Sequence, residues 1–345
     1  RFMKFIRALL SLIVAVVILT AAVAGAGWIW LGNEVAKDGP SSAETLFVVE
    51  PGEGFSTVST RLESDGLIRS AWLLRLKVRI DGTEGALKSG EFVIEPQASM
   101  GEILETLIEG KAVMHKITLP EGRTTAQLLR LIEADPVLIG PMPELPVAEG
   151  SLLPDTYLYH RGMTRAKLIA QMAKAQDDLL AELWPMRQDG LPISTPQEAV
   201  ILASVVEKET GRADERPEVA ALFVTRMKRG MRLESDPTII YGVSQGEPLY
   251  NKAGKRRTLL RSEIDRKTDW NTYQIDGLPK TPICNPGRDA IAAVLNPPET
   301  EYIFFVADGK GGHLFAKTLA EHNRNVAAYR KYERGEIARE RATDE

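Results

Sequence analysis

A chain of 345 residues is long enough for two domains, each with a core of its own. A formal net charge of −4, with 26% of residues charged, excludes a strongly basic nucleic-acid binder and a disordered polyelectrolyte. One cysteine, Cys284, excludes an internal disulfide, which suits a reducing compartment or an exported protein that does without them.

Arg1, Lys4 and Arg7 precede an uncharged run from Ala8 to Asn33, whose apolar core, Leu9–Leu31, is long enough to cross a bilayer as a helix. Trp28 and Trp30 stand at its far end, where interfacial aromatics belong. The positive flank predicts a cytoplasmic N-terminus and an exported remainder. Small residues at Ala22–Ala24 and Ala24–Ala26 offer a cleaved signal peptide as the alternative, but the apolar run is long for one, which favours an uncleaved anchor. Residues 1–33 are thus read as cytoplasmic start and anchor, and the polar stretch 34–44, with Gly39 and Pro40, as a tether.

Three similar segments follow. Phe47–Pro51 leads to Val58 and Leu62, Phe92–Pro96 leads to Ile103 and Leu107 at the same offsets, and Ile117–Pro120 leads to Leu128 and Leu131 with a slightly different one. Each predicts a short strand, a turn and an amphipathic helix, and together they define a repeat region over 45–135. Asp135–Pro146 carries four prolines and reads as a boundary loop. Structure resumes at Ser151–Tyr159, and Thr164–Leu183 has the apolar periodicity of a helix that Trp184-Pro185 ends.

Thr195–Gly211 is the most informative stretch. Thr195 as N-cap, Pro196 at the first helical position and Glu198 at N3 form a capping box. Ala199–Val206 is apolar on every side except Ser204, which predicts a core helix. Glu207 then falls in the last turn, where desolvation and the negative end of the helix dipole both raise a carboxyl pKa, as a general acid requires. On these residues alone the solvated exit of a buried helix is the favoured reading, since perturbed carboxylates are often structural. Arg216–Arg229 predicts a further helix, Tyr302–Val306 a buried strand ended by the turn Asp308–Gly312, and His322–Tyr332 the start of a terminal helix; 136–332 forms the second folded region and 333–345 a charged tail.

Other chemistries fit less well. Gly242–Gly246 spells G-x-S-x-G, and Ile239–Tyr241 could be the strand before it, but no apolar helix follows, so a surface turn is expected. His313 and His322 match no zinc-site spacing, and His313 is read as bonding a loop or a ligand; neither a metal nor a cofactor is expected. Lys252, Lys255, Arg256, Arg257 and Arg261 form a basic cluster that is either a solvated face or a contact for an anionic polymer or lipid. Loops at 236–238, 270–273, 277–279 and 285–287 mix aromatic, amide and hydroxyl groups that suit sugar rings, although the same residues are ordinary turn formers.

ASVVEKET (203–210), GMRLESDPTIIYG (230–242), NTY (271–273), GLP (277–279), NPG (285–287) and FFVADGKGGHLF (304–315) together resemble the YceG-like, MltG-type endolytic murein transglycosylases, over nearly the whole chain. Thr225, Asp269-Trp270 and Lys280-Thr281 depart from that family's usual residues. The resemblance implies an α+β chain: a transmembrane helix, small LysM-like strand–helix repeats, and a mixed α/β catalytic domain with a buried active-site helix. It implies that Glu207 protonates the oxygen of the β-1,4 bond between N-acetylmuramic acid and N-acetylglucosamine, then serves as base towards the muramyl C6 hydroxyl, giving 1,6-anhydro ends. Asp236, Thr238, Tyr241, Asn271, Tyr273, Asn285 and His313 are the candidate substrate-binding residues. No partner carboxylate is found in the sequence, and Glu209 is assigned to structure. The implied location is the inner membrane with the catalytic part in the periplasm, acting on nascent peptidoglycan strands beside a glycan-polymerising penicillin-binding protein; no nucleic-acid partner is expected. The alternative is a non-catalytic peptidoglycan-binding scaffold.

Overall fold

The computed structural model describes residues 2–144 and 146–343. Arg1, Leu145, Asp344 and Glu345 lie outside it, and with them one of the N-terminal charges, one residue of the proline-rich loop and the end of the charged tail. The chain is a mixed α and β protein that begins with an apolar helix, α1 (Phe2–Val35). Within α1, Leu9–Val35 is long and apolar enough to cross a membrane.

The chain divides into two units, 1–115 with 158–163 and 116–157 with 164–345. In the first, β1 (Thr45–Val49) is followed by α2 (Phe55–Ser64), α3 (Ala71–Asp81), β2 (Gly90–Ile94) and α4 (Met100–Ile108). β1 and β2 pair antiparallel, Phe47 opposite Phe92. Their inward residues join Val58, Leu62, Leu74, Val78, Ile103 and Leu107 in one core. The last turns of α1 enter the same core, where Leu31 and Val35 are buried. The stretch after α1 forms no helix or strand but is fastened to this unit: the Gly39 amide donates to the Gln97 carbonyl at 2.8 Å, the Gln97 amide to the Ser41 carbonyl at 2.7 Å, and Arg69 to the Asp38 carbonyl at 2.9 Å.

β3 (Met114–Thr118) precedes α5 (Thr125–Ala134), and β4 (Thr156–His160) pairs with β3 in a separate two-stranded sheet. All three proline-marked segments are therefore a strand followed by a helix, but they are not equivalent: the first two strands pair with each other and the third does not join them. Helix α3, between the first two, has no counterpart in the other segments.

The second unit is mainly helical: α6 (Arg165–Leu183), α7 (Pro196–Glu209), α8 (Arg216–Lys228), α9 (Asp236–Ser244), the short α10 (Arg261–Ile264) and α11 (Arg288–Leu295), then the β5 (Phe304–Ala307) and β6 (His313–Ala316) hairpin and α12 (Leu319–Thr343). α7 is buried from Ala199 to Val206 and packs against α8, α9 and α11. Its one interior polar residue is used: Ser204 Oγ donates to the Ile201 carbonyl at 2.7 Å and accepts from the Ile283 amide at 3.0 Å. Three expectations change. Ile239–Tyr241 belongs to α9, which the Asp-Pro pair starts in the manner of an N-terminal proline. The 302–306 strand is shifted to 304–307 and half-buried, since a two-stranded hairpin leaves one face open. The terminal helix runs on through residues read as a tail.

At the start of α7, Thr195 Oγ1 accepts from the Glu198 amide at 3.2 Å and Glu198 Oε2 from the Thr195 amide at 3.3 Å. Thr195→Ala is expected to lower the stability of this unit by about 1 kcal/mol, the usual worth of such a cap. Denaturant unfolding of variant and parent side by side checks it.

Candidate active site

The last turn of α7 places Glu207 at the edge of the core, with its side chain only 6% exposed. Burial raises its pKa and the charge of nearby Glu121 raises it further; the Gly287 amide, Arg216 and Lys208 act against this, and the net shift is upward. The Gly287 N–H donates to Glu207 Oε2 at 3.2 Å. Nη2 of Arg216, at the start of α8, stands 3.9 Å from Glu207 Oε1 and 3.9 Å from Glu121 Oε2, while Nη1 is 3.4 Å from Asp289. Arg216 is itself buried, with a guanidinium shared by three carboxylates, none of them at close ion-pair distance. The fold thus brings a second carboxylate to Glu207, which local sequence reading did not find. Glu121 lies 86 residues earlier in the chain and carries no periodic signal.

Hydrogen bonds from distant segments hold this loop. The Asn285 side chain accepts from the Leu152 amide at 3.0 Å, and its Nδ2 reaches the Arg123 carbonyl, Thr125 Oγ1 and Glu149 Oε1 at 3.0–3.2 Å. The Gly122 amide donates to the Asn285 carbonyl at 3.0 Å, and Lys208 Nζ to the Gly122 carbonyl at 3.2 Å. Glu149, its pKa raised by burial, accepts from Thr125 and from the Tyr241 hydroxyl at 3.1 Å. Gly122 adopts φ +71° and sits against the Glu207 side chain, a left-handed conformation that glycine takes without strain.

Six of the other candidates separate into two groups, and His313 stands apart from both. Asp236 and Tyr241 line a cavity of about 450 Å³, with Thr124, Lys208 and Arg256. It reaches the end of α7 at Lys208, not at Glu207 itself. Tyr273 joins this side by donating to Asp236 Oδ1 at 2.8 Å. Thr238, Asn271 and Asn285 are fully enclosed, and protein partners take up their polar atoms: Thr238 bonds Ser235 and Thr272, and Asn271 holds the carbonyls of residues 264 and 266. They shape the loops and do not face the cavity. His313 Nδ1 pairs with Glu215 at 2.8 Å, next to Arg216 in sequence.

A YceG-like family model matches residues 47–328, most of the chain. The chain belongs to the YceG-like family. It is 25% identical over 312 residues to an endolytic murein transglycosylase of Bacillus subtilis (strain 168), covering 81% of this chain and 83% of that protein. It is 26% identical over 324 residues to an endolytic murein transglycosylase of Streptococcus pneumoniae (strain D39), covering 81% of this chain but only 57% of that one. A yceG-like protein of Listeria monocytogenes, known from a crystal structure, is 25% identical, with 82% of this chain and 99% of that chain covered and a TM-score of 0.48.

In this YceG-like chain the G-x-S-x-G match has a helix before it and a turn after it, the reverse of a nucleophile elbow. Ser244 Oγ lies within bonding distance of the Ile240 and Glu247 carbonyls, neither of which is a base. Glu209 faces a different group from Glu207: it accepts from Ser235 Oγ, and burial pushes its pKa up to about 7. Between the ordinary value of 4.5 and about 7 the folded state therefore binds more protons than the unfolded one, so stability falls as pH rises across that window. Glu209→Gln is expected to flatten this slope and to raise the melting temperature above pH 7, as a pH series of thermal unfolding would show.

Proposed function

We propose that the chain is an endolytic peptidoglycan lytic transglycosylase that cleaves the β-1,4 bond between N-acetylmuramic acid and N-acetylglucosamine in nascent strands and so limits their length. The observation that carries this reading is Glu207: an enclosed carboxyl of raised pKa, oriented by the Gly287 amide and faced by a buried guanidinium. Burial and the neighbouring negative charge favour the protonated form of such a group, which suits it to deliver a proton to a leaving sugar oxygen. The names of the B. subtilis and S. pneumoniae relatives supply the substrate class. With O4 protonated, the muramyl C6 hydroxyl closes on C1 and leaves a 1,6-anhydro end without consuming water. The cavity beside Lys208, Asp236 and Tyr241 is suited to a neighbouring part of the strand.

α1 serves as a single-pass anchor in the inner membrane, with both units in the periplasm, following the positive residues before the apolar run. The strand–helix segments of the first unit, LysM-like in the resemblance, hold glycan, and a glycan-polymerising penicillin-binding protein supplies the strands. Protease added outside the inner membrane is expected to digest the chain beyond about Asn33; full protection would reverse the orientation.

Glu207→Gln keeps shape and hydrogen bonding but has no carboxyl proton to give. Strand cleavage by the full-length protein in detergent is expected to fall at least about a hundredfold while folding and strand retention persist. Wild-type activity is expected to decline as pH rises through the raised pKa of Glu207, because the acid must be protonated. Chromatography and mass analysis of digested strands give both rate and end chemistry; wild-type rates in Glu207→Gln would remove Glu207 from the reaction, and strand binding without cleavage by the parent would leave a scaffold protein.

A further inference from the structure

Glu207 does not stand alone in the site, and we propose that Glu121 is a second catalytic carboxylate, the base that takes the proton of the muramyl C6 hydroxyl. This rests on the transglycosylase reading and changes its chemistry: the resemblance gives both roles to Glu207, whereas the fold supplies a separate group for each. Glu121 Oε2 and Glu207 Oε1 lie 3.9 Å from the same nitrogen of Arg216, so they are no further apart than twice that distance.

Gly287 shows how closely the two approach. Its N–H is bonded to Glu207, and Glu121 Oε1 occupies the space a Cβ would fill, 1.8 Å from the ideal position. Only glycine there lets one carboxyl bind the backbone while the other closes over it. The two are also unlike in surroundings. Glu207 is 6% exposed and Glu121 is 44% exposed, so one is enclosed in the protein and the other is open to solvent, the kind of asymmetry that divides acid from base in a carboxyl pair.

The step balances. The Glu207 proton passes to O4 of the leaving N-acetylglucosamine, the C1–O4 bond breaks with its electron pair on O4, and the C6 oxygen forms the new bond to C1 as its proton passes to Glu121. Glu121 then releases that proton to solvent and Glu207 regains one, so no water is consumed. Arg216 acts as a positioning residue: its charge stabilises Glu207 in the carboxylate form that follows proton donation.

The test compares the full-length parent with Glu121→Gln, Glu121→Asp and Glu207→Gln on isolated glycan strands. Glu121→Gln is expected to lower kcat about a hundredfold with KM nearly unchanged. Glu121→Asp, still a base, is expected to recover a substantial part of the rate. A Glu121→Gln variant with wild-type kcat, or one that changes KM alone, overturns the proposal. So does a parent that leaves reducing ends, since Glu121 would then serve water. If the parent cleaves and Glu207→Gln does not, while Glu121→Gln is unaffected, this proposal alone fails; if the parent does not cleave, the reading beneath it fails.

Discussion

A helix without a solvent face can end only at a boundary between core and surface, and that constraint organises the second unit. α7 is closed in from Ala199 to Val206 by α8, α9 and α11. Its final turn therefore emerges where those elements stop covering it. A charged side chain at that point is still deep enough to feel desolvation and near enough to the surface to meet a ligand. The raised pKa of Glu207 follows from this placement and from the neighbouring negative charge.

The loop whose Gly287 amide meets Glu207 is held relative to α7 by a hydrogen bond that begins inside the core. Ser204, one turn earlier, accepts the Ile283 amide, and four residues later the same loop presents the Gly287 amide to Glu207. Asn285, between them, fastens the 122–125 segment and the 149–152 turn. These are buried polar groups with their partners met, and a single loss would leave several unpaired. Residues that resemble a sugar-binding set by type thus act here as the frame.

Local rules carried far in this chain. The capping box, proline and glycine signals and apolar periodicity are short-range physics, and they were enough to find α1, α6, α7, α8 and the three strand–helix segments in the sequence. The enclosed position of Glu207 was legible for the same reason, because it follows from the apolar run of its own helix. What periodicity cannot express is which distant segments meet. Thr238, Asn271 and Asn285 have the composition of ligand-facing turns, and only tertiary pairing shows them enclosed. Asp236-Pro237 reads as a loop until its proline is seen starting α9. Glu121 and Arg216 acquire meaning from each other and from Glu207, three positions that no local window contains.

The seating of Leu31 and Val35 in the core of the first unit bears on mechanics. A span joined to its domain by slack chain can tilt, rotate or slide without the domain responding. Here the last turns of α1 are part of the packed interior, and the stretch after them is fastened along the same unit. As the proposed anchor, α1 would be a post, not a leash. If α1 spans a bilayer as proposed, a bilayer thinner than its apolar length would be accommodated by tilt, and that tilt would be conveyed to the first unit, making membrane thickness an input to how that unit is oriented.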